Sequence, residues 1–358
     1  MPSINRSPRF ISVQALRVLA ALLVVCAHVP DYIEDRVGVT APTIPTGQLG
    51  VAVFFSISGL VAVVTTQRGT GRSAVRFARR RLTRIVPLAW IVLTVKLLVG
   101  LIAPGTLQRF TPDAVYVVAS YLFLPARGSD GAVQPLYTVM WTLTFELFFY
   151  AVVTAALLAR RTPISVAAPV MVLLAVASVF RPDEWEPWQF YANPYVLLFV
   201  VGMSIGHVAT RSADRVTTAW GVIALATWTG TGLASGTATG TMVLLPVSAV
   251  VLLLALWVER WLPQWIAPPA EVLGDASYAL YLTHPLVAPI TIAALAAVLP
   301  AGTPWQLFAV VAVVVAIVTS IVTWFGLDRP LVRALTRGRR GSAEIPRVRS
   351  DDTGAVAS

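Results

Sequence analysis

Ten apolar stretches long enough to cross a bilayer recur along the 358 residues, near 11–30, 48–66, 85–103, 139–158, 164–180, 190–208, 217–234, 241–258, 274–298 and 306–326. A hydrocarbon core about 30 Å thick takes roughly 20 apolar residues of helix to span. The chain therefore reads as all-α, a polytopic transmembrane helical bundle of about ten spans. A further apolar piece at 115–124 is too short to cross and reads as a re-entrant or interfacial segment. Composition agrees: 57% of residues are hydrophobic and only 12% charged, with a mean hydropathy of +0.76, far from a soluble globular balance.

The charges set an orientation. Arginines crowd at Arg6 and Arg9, between Arg68 and Arg84, at Arg160/Arg161 and Arg211/Arg215, and from Arg329 onward, while the intervening loops hold Asp31, Glu34 and Asp35, or Asp183, Glu184 and Glu186. With ten crossings every basic cluster falls on one side, which the positive-inside rule makes cytoplasmic. A spanning 115–124 would move the later clusters outside. Both termini are then expected in the cytoplasm, with the protein multi-pass in the cytoplasmic (inner) membrane. The net charge of +10 follows from arginines facing anionic headgroups, and no nucleic-acid-binding motif accompanies it. Residues 1–10 form a cytoplasmic N-terminus and 11–326 one membrane domain. The basic tail 327–358 lacks an apolar core and is expected to be largely disordered. The first span shows no A-x-A cleavage pattern and reads as a retained anchor. Cys26, the single cysteine, lies in it as a small hydrophobe and excludes an intrachain disulfide.

Ionisable groups at membrane depth are functional by default. The first span, QALRVLAALLVVCAH, holds Arg17 and His28 with ten residues between them. Eleven residues of helix rise about 16 Å over three turns, so the two side chains share a face. Snorkelling of Arg17 and an interfacial His28 form the alternative. Four more segments concentrate polar residues: GVAVFFSISGL at 50–60, RRRLTRIVPLAW at 79–90, WTLTFELFFY at 141–150 and LGDASYALYLTHP at 273–285. Ser277, Tyr281 and His284 are spaced i, i+4 and i+7 on one helical face, where Pro285 removes a backbone donor. That face suits a channel wall or acceptor pocket, or packing glue between helices. Three histidines on three distant spans give no metal-site signature, and His207 at a helix C-terminus reads as structural. Lys96, the only lysine, falls inside the third span.

These five segments, in this order over about residues 10–330, resemble the acyltransferase family 3 integral membrane proteins, which O-acylate saccharides of envelope polymers and macrolide antibiotics. Arg17, His28, Arg81, Arg84 and residues 54–60 match the family's motifs residue by residue, and Glu146 fits within W-x-L-x-x-E-x-x-F-Y after Trp141. Ala52 stands where an acidic residue is common, Asp328-Arg329-Pro330 replaces E-R-P, and a basic residue often found before F-x-x-G is absent near 193–202. The resemblance implies an integral membrane O-acyltransferase that takes an acyl group, acetyl foremost, from cytoplasmic acyl-CoA to a hydroxyl of a saccharide or glycosylated acceptor at the outer face. No cofactor is tightly bound; acyl-CoA is a substrate. A small secreted metabolite such as a macrolide sugar is the alternative acceptor, and a polytopic transporter the alternative class, though no inverted repeat is visible.

An alcohol is a poor nucleophile at neutral pH and needs a base. His28 is the expected base. Glu146 is expected to orient His28 and stabilise its imidazolium, or to pair with Arg17 or a tyrosine; Arg17 completes the catalytic set. Arg81 and Arg84 suit bidentate contact with the coenzyme A phosphates, against ordinary positive-inside anchoring. Ser277, Tyr281, His284 and Trp141 are expected to line the acceptor pocket or channel.

Overall fold

The computed structural model describes residues 10–43, 45–67, 71–103, 113–182, 184–236 and 239–337. They are helical throughout, apart from turns and one isolated bridge between Arg127 and Val133. In chain order the helices are α1 (Ile11–Val37), α2 (Gly47–Thr66), α3 (Gly71–Ile102), α4 (Ala114–Tyr121), α5 (Trp141–Leu158), α6 (Pro163–Ala177), α7 (Leu197–Ala209), α8 (Arg215–Ala234), the single turn α9 (Thr239–Met242), α10 (Leu244–Val258), α11 (Ala267–Val298), α12 (Trp305–Thr323) and α13 (Arg329–Arg337).

Among the described residues eight helices are long and apolar enough to cross a membrane, and Pro194–Ala209 is a shorter apolar helix. Arg215–Ala234 has the length, but Thr217, Thr218, Thr227, Thr229 and Thr231 dilute its apolarity. The segment at 115–124, expected to be too short to cross, is the eight-residue α4, about 12 Å long. It lies against the C-terminal half of α3, where the Trp90 indole donates to the Tyr121 carbonyl at 2.7 Å.

Gln67 at the end of α2 donates to Thr210 and Ser212, and Arg160, Arg161 and Asp214 line one cleft with Gln67, so these connections with their arginines gather at one end of the bundle. Several helices outrun their apolar windows there. α3 begins at Gly71, fourteen residues before its apolar stretch, because Ala, Leu and Arg in RSAVRFARRRL are good helix formers with or without lipid. α1 is capped at this end by another element: the Glu259 carboxylate accepts from the backbone N–H groups of Ile11 and Ser12 at 2.9 and 2.7 Å. These are two of the donors every helix start leaves unpaired.

Residues 327–337, which composition groups with a disordered tail, are helical. α12 runs through a π-turn, Trp324–Asp328, into α13. The Arg329 guanidinium lies over Trp324 and Phe325, and the Leu335 carbonyl accepts from Arg79 at 2.7 Å. Docking onto α3 supplies the contacts a tail lacks in isolation. The rest of the expected tail, 338–358, and residues 1–9 lie outside the described residues.

Inside, α1 packs most extensively on α11, and α2 on α7. The second contact is backbone to backbone: a Cβ at Gly202 would lie 1.9 Å from the Ser56 carbonyl oxygen, and one at Gly59 2.2 Å from that of Phe199. Small residues let membrane helices approach this closely. The approach draws α2 into the centre, where α1, α2, α3, α5 and α11 surround the polar side chains.

Candidate active site

Two cavities enter the bundle from opposite ends. The first, on the arginine-rich half, is lined by Arg17 of α1, Phe54, Ser58 and Val61 of α2, Arg81 and Arg84 of α3, Thr142, Glu146 and Tyr150 of α5, and Tyr278 and Tyr281 of α11; its volume is about 100 Å³. Glu146 sits one turn from Tyr150, and both the Tyr150 hydroxyl and Ser58 Oγ donate to its Oε1, at 2.7 and 2.6 Å. Tyr278 ties α11 to α3 by donating to the Ile85 carbonyl at 2.6 Å.

The three guanidinium groups are held differently. Arg84 Nη1 pairs with Asp275 Oδ1 at 3.4 Å, while its Nη2 is buried without a hydrogen-bond partner. Arg81 lies over the Phe77 and Tyr150 rings and donates through Nη2 to Thr65 Oγ1 at 3.2 Å; its Nε is buried and unpartnered. Arg17 is within 3.5 Å of Gln14 Oε1. Buried donors without protein partners are rare in native structures, and each calls for an explanation such as an ordered water or a ligand.

The second cavity, about 310 Å³, opens at the other end. It is lined by His28, Tyr32, Asp35 and Arg36 of α1, Lys96 of α3, Tyr116 of α4, Asp130, Gln134 and Tyr137 of the α4–α5 connection, and Pro285 and Pro289 of α11. Aromatic faces interleaved with carboxylate, amide and cationic groups suit a polyhydroxylated ligand. His28 Nδ1 lies 2.8 Å from the Val24 carbonyl. A carbonyl only accepts, so in the neutral ring the proton resides on Nδ1 and Nε2 carries the free lone pair. Lys96 donates to the Leu136 carbonyl at 2.8 Å and lies 5.3 Å from the Tyr137 ring centroid.

A septum about one helical turn thick separates the two. Tyr281 and Thr142 line the first cavity, whereas Pro285 and Val139 line the second. The Tyr281 hydroxyl is 2.8 Å from both Thr142 Oγ1 and the Val139 carbonyl, and its ring meets Phe54 edge-on. His284 fills the middle, fully buried, with its ring centroid 5.3 Å from that of His28 and 6.1 Å from that of Tyr281.

Arg17 and His28 thus share a face of α1 and serve different cavities. Arg17, Arg81, Arg84, Glu146 and Tyr281 come together in the first, His28 belongs to the second, and His284 stands between. The expected orientation of His28 by Glu146 is not what the structure has. Glu146 is bonded to Ser58 and Tyr150 on the other side of the septum, which is its tyrosine-partner alternative. Ser277 and Trp141 line neither cavity. Ser277 Oγ returns to the Gly274 carbonyl at 2.8 Å, a bond within its own helix, and the Trp141 ring packs among Phe55, Phe145 and Tyr195. Sequence reasoning missed Ser58, Tyr150 and Asp275 as partners of the charged groups. A lone lysine in an apolar span was the available signal for Lys96.

A family whose description is "acyltransferase domain" matches residues 10–325. The exopolysaccharide production protein ExoZ of Rhizobium meliloti (strain 1021) is 33% identical to this chain over 307 residues, which cover 84% of this chain and 93% of that protein. No solved structure matches.

Proposed function

The chain belongs to acyltransferase family 3 and is a multi-pass membrane enzyme, and from that premise we propose that it carries an acyl group, acetyl foremost, from cytoplasmic acyl-CoA to a saccharide hydroxyl at the outer face. One observation carries this reading: two cavities of different chemistry enter from opposite ends and stop one helical turn apart. The arginine-rich end is cytoplasmic in this reading, so its cavity receives the donor. The unpartnered Arg81 Nε and Arg84 Nη2 are donors for the anionic oxygens of coenzyme A, and Arg17 adds a third guanidinium on the same wall. Glu146, fixed by Ser58 and Tyr150, balances part of that charge. The donor's pantetheine arm then points its thioester at the septum.

The acceptor enters the outer cavity and places a hydroxyl against His28 Nε2. The imidazole removes that proton as the oxygen attacks the thioester carbonyl, and the thiolate leaves on the cytoplasmic side. The name of the Rhizobium relative supports a saccharide acceptor, and so do the tyrosines, Asp130 and Gln134 of the outer cavity.

The test is thiol release from acetyl-CoA by detergent-purified protein, with the producing cell's alkali-de-esterified exopolysaccharide as acceptor. His28→Ala is expected to lower turnover by roughly 10²- to 10⁴-fold, the usual range for losing a general base, with coenzyme A binding retained. Wild-type turnover by a folded His28→Ala protein would sink the assignment.

A further inference from the structure

The cleft that Gln67 shares with Arg160, Arg161 and Asp214 belongs to neither of the two cavities that flank the septum. Its volume is about 930 Å³, and it lies between the C-terminal ends of α2, α5 and α7 and the N-terminal ends of α6 and α8. It has no lining residue in common with the donor cavity. We propose that it binds an anionic phospholipid of the surrounding leaflet, with the lipid phosphate between Arg160 and Arg161 and the acyl chains along the outer surface of α8.

The polar half of the cleft is short of negative charge. Among the described residues neither the Arg160 nor the Arg161 guanidinium has a hydrogen-bond or ion-pair partner, and both side chains are exposed. The carboxylate of the cleft, Asp214, is already engaged: its Oδ1 accepts from the Thr217 N–H at 2.8 Å and caps α8. α6 starts on the same wall, and Thr162 before it makes no side-chain cap, so the partial positive charge of that helix start is uncompensated. His207 adds an Nε2 that is buried without a partner, while its Nδ1 lies 2.9 Å from Ser212 Oγ. Guanidinium pairs of this kind suit the oxygens of a phosphate.

Positive-inside anchoring asks only for charge near this end of the bundle. Arg160 is placed more specifically than that. Its N–H donates to the Leu157 carbonyl at 3.1 Å and that of Arg161 to the Ala156 carbonyl at 2.9 Å, the two bonds of a Schellman turn that closes α5. The φ of 56° at Arg160 is the left-handed conformation that glycine adopts without strain. A glycine would make the same turn and leave the cleft with one guanidinium.

The apolar half selects a lipid over a free phosphate. Val63, Leu157, Ile164 and Val216 line the cleft beside the arginines. A shallow groove on α8, lined by Ala219, Val222 and Ile223, meets the cleft at Asp214, and Val222 and Ile223 are exposed. A bare anion leaves these surfaces uncovered. A diacyl phospholipid covers them while its phosphate stays at the level of the arginines, where anionic headgroups and basic side chains attract each other.

The experiment titrates detergent-purified protein with dioleoylphosphatidylglycerol and, separately, with dioleoylphosphatidylcholine, and reads bound lipid by native mass spectrometry. Phosphatidylglycerol is expected to bind about 10-fold more tightly than phosphatidylcholine. Arg160→Gly combined with Arg161→Gln is expected to weaken phosphatidylglycerol binding by about 10-fold or more, the loss of at least one charge-assisted contact, and to leave phosphatidylcholine binding unchanged. Because glycine suits the turn, Arg160→Gly alone should keep a thermal midpoint at or above that of wild type, so a lost affinity is not a lost fold. Arg76→Gln removes an exposed arginine of α3 outside the cleft and should bind phosphatidylglycerol like wild type. Equal affinity for the two lipids overturns the proposal, as does wild-type phosphatidylglycerol affinity in the double variant or a matching loss in Arg76→Gln. Displacement of the lipid by millimolar inorganic phosphate would make the cleft a site for a free anion and overturns it too. A parallel loss of coenzyme A affinity in the double variant would assign the two arginines to the donor and do the same.

Discussion

Arg84→Ala offers the sharpest test of the donor cavity, because each edge of that guanidinium has a distinct assignment. Nη1 is spent on Asp275 at 3.4 Å and Nη2 is buried without a partner, so one charge-assisted bond to a coenzyme A phosphate is at stake. Such a bond contributes about 1.5–3 kcal/mol, and at 1.4 kcal/mol per factor of ten its loss weakens binding about 10- to 150-fold. The assay is calorimetric titration of coenzyme A into detergent-purified variants. Arg84→Lys keeps the charge and loses the planar fork, so it should recover only part of the affinity; a purely topological arginine would be replaced by lysine without loss. Asp275→Asn isolates the ion pair, since it removes the partner and leaves the guanidinium in place. Its coenzyme A affinity is expected to equal or exceed that of wild type, because Nη1 is released for the ligand. Wild-type affinity in Arg84→Ala would refute the phosphate role, and equal weakening by Asp275→Asn would show that the pair shapes the cavity and does not contact the donor.

Two further outcomes check the frame that positions this site. On a Cys26→Ala background, a cysteine at Glu184 should react with an impermeant maleimide added to intact cells, whereas one at Ala213 should react only after permeabilisation; the reverse pattern would invert the bundle and with it the donor and acceptor cavities. Gly202→Val should cost more than the roughly 1–3 kcal/mol of ordinary overpacking, because the obstacle 1.9 Å from its Cβ is the Ser56 backbone carbonyl; a thermal midpoint equal to wild type in detergent would show that α2 and α7 are further apart than described.

How much of this was legible in the sequence depended on the range of the interaction. Helix existence was plain from apolar run length, and α4 was correctly too short to span, because both depend only on local composition. Helix ends were not. α3 starts where alanine and arginine favour helix in water, α11 starts seven residues before its apolar run, and α13 owes its order to contacts with α3. Spacing places Arg17 and His28 on one face of α1. The same three turns carry them into different cavities, a consequence of where α5 and α11 close the septum that no spacing on α1 encodes. Glu146 could be recognised as an acid needing a partner, but its choice of Ser58 and Tyr150 over His28 is set by helix packing. Ser277 was misread because periodicity puts it on the face of Tyr281 and His284, while the carbonyl of Gly274 satisfies it within its own turn.

The thinness of the septum bears on what can be transferred. Tyr281 lines the donor cavity and Pro285 the acceptor cavity, four residues apart on α11, about 6 Å of helix rise. Val139 and Thr142 bracket the same layer on the opposite wall, with Phe54 and His284 filling it. If the thioester meets the hydroxyl in this layer, the acyl substituent must lie among fully or largely buried side chains, where an added methylene displaces packed atoms and costs 1–3 kcal/mol. The donor cavity is itself small, about 100 Å³. A two-carbon group meets these limits and a long chain does not, so in the proposed reaction selectivity for a short acyl donor would fall to Phe54 and Tyr281 and not to the arginines, which would meet the part of coenzyme A that every acyl donor shares.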